Sequence, residues 1–149
     1  MDRIGLTHRH YVRVIYAQTD RMNAVYYTRY YEYFESARSA LLRSVGVPYA
    51  DMESAGYLLP VVESHCRYHR AATFEDILII ETFIGELPKV KLRLDYTVLR
   101  AGETDPIATG YTVHSFVDAK FKPVRAPRQF IDALRSHAGE TIDEEPPPL

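Results

Sequence analysis

A single aspartate stands where a strand-like run of residues gives way to a long amphipathic helix. In the 149-residue chain Asp20 lies in a turn, and Tyr27, seven residues later, falls where the helix is expected to begin. A carboxylate in that place could activate a water molecule as a general base or attack a carbonyl carbon as a nucleophile. The positive end of the helix would stabilise both the carboxylate and a nearby oxyanion. Because an aspartate beside a helix start is more often a turn or capping residue, the pattern alone leaves both roles open.

The elements around this turn differ in the period of their apolar residues. Residues 1–8 are expected to form a loose arm, and the run YVRVIY within residues 10–17 predicts the first strand. Over residues 27–45 the apolar positions recur at helical spacing, and Gly46 followed by Pro48 ends the helix. The predicted core stripe of this helix consists of Tyr27, Tyr31, Phe34, Leu41, Leu42 and Val45.

The rest of the chain is typical of strands. A short second helix is expected over residues 49–55 and a terminal helix over residues 127–137. Strands are expected over residues 58–69, 76–86, 90–100 and 107–121. Short connections between the last three favour antiparallel hairpins. We therefore predict one α+β domain over residues 1–137, with an antiparallel sheet around a single long helix, and a disordered acidic and proline-rich tail over residues 138–149.

Two residues inside the predicted elements need a local explanation. Arg38 lies within the apolar stripe of the long helix, where an unpaired charge is costly, and Glu35 one turn earlier is expected to pair with it. Gly110 lies inside a predicted strand, which indicates a bulge or a close approach by another part of the chain.

Composition excludes several classes of function. The net charge of −2 gives no electrostatic reason to expect a nucleic-acid or membrane partner. The only cysteine, Cys66, cannot form an intramolecular disulfide, and no cluster has the spacing of metal ligands. Without a signal peptide or an apolar span of membrane length, the chain is expected to be cytoplasmic.

Two segments resemble the signature of a known family. The run YAQTDRMNAVYYTRYYEYFESAR, residues 16–38, resembles a signature segment of hotdog-fold thioesterases of the 4-hydroxybenzoyl-CoA thioesterase type. In that segment Thr-Asp is followed by Val-Tyr and then by Phe-Glu-x-x-Arg. The run VDAKFKPVRAP, residues 117–127, resembles the end of the last strand in that family. The resemblance covers residues 10–134.

This resemblance implies a fold and an activity. The fold would be a five- or six-stranded antiparallel sheet curled around the long helix, in a homodimer or homotetramer with its sites at the subunit interface. The activity would be hydrolysis of an acyl- or aroyl-CoA thioester without a metal or redox cofactor. Asp20 would be the general base or nucleophile, and the Tyr27 backbone N–H would polarise the carbonyl. Another branch of the fold uses a glutamate on this helix, but Glu35 is better explained as the partner of Arg38 and therefore ranks second to Asp20.

The substrate contacts are predicted from the same segment and from basic residues elsewhere. Asn23 replaces a glycine that is frequent in this turn of the family, and asparagine tolerates a positive φ. Tyrosines off the centre of the helix stripe could line an acyl pocket, and lysines could bind the phosphates of coenzyme A. The predicted substrate-binding residues are Asn23, Tyr26, Tyr30, Lys89 and Lys91.

Three alternatives stay open from the sequence. The chain could be a non-catalytic module that binds an acyl-CoA or a small aromatic ligand, or a thioesterase acting on acyl-carrier-protein thioesters. A hotdog dehydratase would need a second acid or base in the pocket, and the long helix contains no histidine.

Overall fold

The sequence pattern produces an antiparallel sheet packed on one long helix. The computed structural model describes residues 2–148. In chain order its helices and strands are β1 (Arg3–Arg13), α1 (Arg29–Ser44), α2 (Tyr49–Ser54), β2 (Val61–Tyr68), β3 (Ile77–Glu86), β4 (Lys91–Arg100), β5 (Pro106–Ser115), α3 (Arg128–Ser136) and β6 (Thr141–Asp143). The predicted α+β class, long helix and hairpins are confirmed.

The six strands lie in the order β2-β5-β4-β3-β1-β6. All neighbours are antiparallel except β1 and β6. The strand pairing places Arg13, the last residue of β1, beside the start of β3. The last residues of β4 and β2 lie at this same end of the sheet. We call this the Arg13 end of the sheet. The opposite end, with the turn between β3 and β4, is the Lys91 end.

The buried face of α1 packs against β1 and β3. The ring of Phe34 stacks on that of Tyr96, with 4.2 Å between their centroids. The prediction was wrong for the first turns, because Tyr30 and Tyr33 are buried, whereas Tyr27 and Tyr31, which were placed in the core stripe, are exposed by 55% and 36%. The helix begins at Arg29 rather than at Tyr27, so Tyr27 precedes the first helical turn.

Gly110 in β5 makes the close approach that its position predicted. A Cβ atom there would collide with the carbonyl oxygen of His65 and lie 3.0 Å from the ring of Phe34. The missing side chain therefore lets the Phe34 ring lie directly against the sheet.

The expected ion pair between Glu35 and Arg38 is wrong. Glu35 is exposed, and Arg38 instead donates from Nη1 to the hydroxyl of Tyr96 at 3.3 Å. Arg38 lies on the half-buried flank of the helix. A neutral hydroxyl accepts its hydrogen bond there, so no second charge has to be buried.

A buried chain of hydrogen bonds continues from Tyr96. Its hydroxyl lies 2.7 Å from Oγ1 of Thr112, which lies 2.9 Å from Nε2 of His114. Nδ1 of His114 lies 3.0 Å from the carbonyl oxygen of Leu59. A carbonyl can only accept, so Nδ1–H of His114 donates to Leu59. Burial lowers the pKa of His114 and so favours the neutral imidazole, in which Nε2 accepts from Thr112 and Thr112 in turn can accept from Tyr96.

The two ends of the chain differ from the prediction. Residues 3–8 belong to β1 rather than to a loose arm. Ile4, Leu6 and His8 are buried on one face of the strand, although Gly5 takes a positive φ within it. The predicted disorder of the tail is also wrong, because β6 pairs with β1. Glu144 lies 2.8 Å from Nδ1 of His10, and Arg13 donates to the carbonyl oxygen of Pro148 at 2.7 Å. The tail covers an open sheet edge, a role that a three-residue strand does not show in its composition.

Replacing Gly110 with alanine is expected to lower the free energy of unfolding by about 1–3 kcal/mol, because the added methyl group meets backbone that cannot move aside. The matched control is Gly85→Ala, where the nearest atom belongs to the side chain of Phe83, at 3.2 Å. Urea unfolding of both variants measures the difference. Equal stability of the two variants would contradict the close approach at Gly110.

Stability is expected to fall as the pH drops from about 6.5 to about 4. Burial lowers the pKa of His114 to about 4, whereas an unfolded histidine has a pKa of about 6.5. The unfolded state therefore binds more protons than the folded state in this window. Neutral His114 contributes up to about 3 kcal/mol to the free energy of unfolding, and this contribution is lost as the pH falls. Urea unfolding at several pH values should show a smaller loss for His114→Asn than for the wild type. Since burial also lowers the pKa of His8, which both proteins retain, identical pH slopes would contradict the role of His114.

Candidate functional site

An open cleft of about 520 Å³ lies at the Arg13 end of the sheet, where the turn after β1 meets the start of α1. Four of the predicted site residues line it: Asp20, Tyr26, Tyr27 and Tyr30. The opposite wall comes from the end of β2 and the residues after it, including Tyr68, His69 and Arg70. The sheet order therefore brings the predicted turn and helix start against a third segment of the chain.

Asp20 begins a tight hairpin-like turn. Its N–H donates to the carbonyl of Ala24 at 2.8 Å, and the N–H of Asn23 donates back to the carbonyl of Asp20 at 3.0 Å. Asn23 has a φ of 63°, which confirms that it takes the left-handed conformation. Asn23 is exposed and does not line the cleft, so its observed position is in the turn and its contact with a substrate stays a prediction.

The turn fixes the direction of the Asp20 carboxylate. Oδ1 accepts the N–H of Met22 at 2.8 Å and that of Ala24 at 3.4 Å. Among residues 2–148 no donor is hydrogen-bonded to Oδ2. The half-buried side chain is thus held by one oxygen, and the other remains able to contact a ligand in the cleft.

Most N–H groups at the start of α1 donate to carbonyl oxygens three residues earlier in the chain. The first-turn bonds run from Arg29 to Tyr26 (2.9 Å), from Tyr30 to Tyr27 (3.4 Å) and from Tyr31 to Thr28 (3.3 Å). Within the described part of the chain the N–H of Tyr27 has no acceptor. Tyr27 lines the cleft, so this N–H is a candidate donor to a ligand there.

The predicted pocket tyrosines occupy different environments. Tyr26 and Tyr27 are exposed at the mouth of the cleft, with ring centroids 4.8 Å apart, and the neighbouring Tyr27 raises the pKa of Tyr26. Tyr30 is buried, and burial raises its pKa to about 12. Both Tyr26 and Tyr30 present aromatic surface to the cleft, and their contact with a substrate stays a prediction.

Sequence reasoning missed the wall formed after β2. Tyr68 donates from its hydroxyl to the carbonyl of Tyr27 at 3.2 Å, and Nε2 of His69 lies 2.8 Å from Oγ1 of Thr109. Arg70 is bound to Glu103 at 2.8 Å. These residues lie more than forty positions from the Asp20 turn in sequence. Antiparallel pairing of β2 is the feature that could have predicted this wall, because it places the last residues of β2 at the Arg13 end.

The structure does not bring Lys89 and Lys91 to the cleft of the same chain. Both are exposed at the Lys91 end, and the ten residues of β4 span about 30 Å between the two ends. The prediction overlooked that β3 and β4 turn at the end of the sheet opposite to Asp20. Any contact of these lysines with a ligand in the cleft would therefore have to come from another copy of the chain.

Two other kinds of feature are absent from residues 2–148. No group of three or more histidine, cysteine, aspartate and glutamate side chains there could hold a metal ion. None of the helices formed by these residues is long and apolar enough to cross a membrane.

Comparison with known proteins gives the family. The sequence profile of the thioesterase-like superfamily matches residues 14–134. The putative acyl-CoA thioesterase YneP of Bacillus subtilis is 33% identical over 123 residues, which cover 81% of this chain and 88% of that protein. The acyl-CoA thioesterase YbgC of Haemophilus influenzae is 30% identical over 79% of this chain and 87% of its own length. The crystal structure of the DHNA-CoA thioesterase of Staphylococcus aureus matches 85% of each chain, with a TM-score of 0.78 and 26% identity.

The family match covers the Asp20 turn, α1, α2 and the strands β2 to β5, and it ends within α3. The chain therefore belongs to the thioesterase-like superfamily, and its predicted assignment to a hotdog-fold family of thioester hydrolases is confirmed.

Proposed function

We propose that this protein hydrolyses an acyl-CoA or aroyl-CoA thioester to the free acid and coenzyme A. The observation that carries the proposal is the convergence of two groups on one cleft, the carboxylate of Asp20 and the N–H of Tyr27. One supplies a base or nucleophile and the other a donor for a carbonyl oxygen, which are the two groups that acyl transfer requires.

The proposed reaction begins with the thioester oxygen accepting a hydrogen bond from the N–H of Tyr27. Oδ2 of Asp20 then either removes a proton from a water molecule that attacks the carbonyl carbon, or attacks that carbon itself to form an anhydride that water hydrolyses. In both routes the C–S bond breaks, the thiolate of coenzyme A takes up a proton, and one water molecule is consumed. The positive end of α1 stabilises the negative charge that develops on the oxygen.

The aromatic wall of the cleft is the proposed site for the acyl group. Tyr30 offers a buried ring edge, and the exposed rings of Tyr26 and Tyr27 stand at the mouth. Large, rigid side chains of this kind bind apolar or aromatic groups at a small entropic cost. An acyl-carrier-protein thioester presents the same acyl group and pantetheine arm, so it remains the alternative substrate. Coenzyme A chemistry and a single unpaired cysteine both accord with a cytoplasmic protein.

We further propose that two copies pair through the free edge of β2. The tail covers the edge of β1, whereas β2 pairs on one side only and exposes Val61 by 47% and Val62 by 53%. An open edge with exposed apolar side chains is a ready surface for strand pairing. Two-fold antiparallel pairing of β2 would bring the Lys91 end of the second copy to the Arg13 end of the first. Lys89 and Lys91 of that copy would then stand near the cleft mouth, where the phosphates of coenzyme A need cations.

The variant Asp20→Asn is expected to lower kcat for a CoA thioester by at least about 100-fold, because the amide can neither accept the proton of water nor form the anhydride. Its Oδ1 still accepts the N–H of Met22, so the turn should persist. Free thiol released from a panel of acyl- and aroyl-CoA esters measures the rate.

The matched control for this variant is Asp118→Asn. Asp118 accepts the N–H groups of Lys120 and Lys122 in a comparable turn and does not line the cleft. It should leave the rate unchanged. Equal rates for wild type and Asp20→Asn would contradict the role of Asp20, and tight binding without turnover by the wild type would indicate the non-catalytic module instead.

Pairing through β2 predicts a dimer at micromolar concentration in sedimentation velocity. The double variant Val61→Glu, Val62→Glu places like charges on both copies of the edge and is expected to sediment as a monomer. Phe83→Glu is the control, since Phe83 is an exposed apolar residue on β3, away from the edge, at 42% exposure. A monomeric wild type, or a double variant that remains dimeric, would contradict the proposed pairing.

A further inference from the structure

The last residue of β2 reaches the main chain at the start of α1. The hydroxyl of Tyr68 donates to the carbonyl oxygen of Tyr27 at 3.2 Å. The ring of Tyr68 also meets those of Tyr27 and Tyr30 edge to face, at centroid distances of 6.1 Å and 5.4 Å. One side chain on the edge strand thus contacts both the backbone and the ring of the residue that carries the free N–H.

The backbone at this point has little else to hold it. The N-cap of α1 is Thr28, and its side chain makes no capping hydrogen bond. The carbonyl of Tyr27 accepts the N–H of Tyr30 only at 3.4 Å, near the limit of a hydrogen bond. The peptide that carries the N–H of Tyr27 is held at the carbonyl of Tyr26, which accepts the N–H of Arg29 at 2.9 Å. Tyr68 binds the carbonyl of the next peptide, so both peptides that flank the Cα atom of Tyr27 are then held.

We propose that Tyr68 is a positioning residue for thioester hydrolysis, holding the backbone of Tyr27 so that its N–H points at the carbonyl oxygen of the substrate. This inference rests on the proposed function, in which that N–H binds the thioester. Tyr68 acts through Tyr27 and takes no part in proton transfer. Burial raises the pKa of Tyr68, so its hydroxyl remains a donor at neutral pH.

The geometry separates this role from simple packing. The hydroxyl is the atom that binds the Tyr27 carbonyl, while the ring makes the aromatic contacts. Removing the hydroxyl alone leaves those contacts in place. A loss of rate without a loss of stability would then come from the direction of the N–H.

The test compares Tyr68→Phe with the wild type. We expect kcat to fall about tenfold, less than the roughly 100-fold or greater cost of deleting an oxyanion donor, because the N–H is still present but poorly directed. KM and the thermal unfolding midpoint should change little, and the pH profile of kcat should keep its shape. Tyr111→Phe is the matched control, since that hydroxyl, on the neighbouring strand β5, binds the exposed Glu63 away from the cleft. It should leave kcat unchanged.

Two inert analogues, built on the acyl group of the best substrate, sharpen the test. One replaces the thioester sulfur with CH2 and keeps the carbonyl, and the other is a thioether without a carbonyl. Tyr68→Phe should weaken binding of the first analogue by several-fold and leave the affinity for the second unchanged. Equal weakening of binding to both analogues would overturn the positioning role. A shifted pH profile would also overturn it, because the hydroxyl would then take part in proton transfer.

The test distinguishes failure of the inference from failure of the proposed function. A wild-type protein that hydrolyses no thioester overturns the proposed function, and with it the role of Tyr68. A wild-type protein that is active, an Asp20→Asn variant that is inactive and a Tyr68→Phe variant with wild-type kcat overturn the role of Tyr68 alone. If Tyr68→Phe proves unstable, the binding ratio of the two analogues, measured below its unfolding temperature, still decides the matter.

Discussion

The packing of Phe34 on the sheet determines where the start of α1 lies. Its ring stacks on Tyr96 at an interplanar angle of 8° and occupies the space that the missing side chain of Gly110 leaves open. Phe34 lies only five residues after the first residue of the helix, so this contact fixes the first turn more directly than any later one. Because protein interiors are close-packed, displacing this ring by the width of one methylene group would move the helix start relative to the cleft.

The turn that carries Asp20 is tied to the same frame from two sides. Gln18 accepts the hydroxyl of Tyr33 at 2.7 Å through its side chain and the N–H of Tyr26 at 2.8 Å through its carbonyl, which joins the turn to the helix. On the other side, the N–H of Val25 donates to the carbonyl of Ala72 at 2.8 Å, which joins the turn to the segment before β3. The carboxylate and the free N–H of Tyr27 therefore move little relative to each other, as preorganised catalytic groups must.

The sequence predicts those features that depend on neighbours along the chain. An apolar run predicts β3, period-2 alternation predicts β4 and helical spacing predicts α1. Short connections predict the hairpins, and Asn23 is predicted to tolerate the left-handed conformation that it takes. The first turn of α1 was misplaced because crowded tyrosines allow two overlapping apolar stripes, and only packing against the sheet selects Tyr30 and Tyr33. The wall at Tyr68 and the distance of Lys91 from the cleft depend on strand register, which pairs residues far apart in sequence.

The edge strand β2 links the two proposals about this site. Its free edge is the surface on which a second copy would pair, and its last residue holds the carbonyl of Tyr27. An unpaired edge strand is among the less stable parts of a sheet, and its ends open most readily. Pairing on both sides would restrict the backbone of Tyr68 and, through its hydroxyl, the direction of the Tyr27 N–H. Assembly and carbonyl binding would thus share one strand, and pairing would further restrict a donor that the single subunit already holds in place.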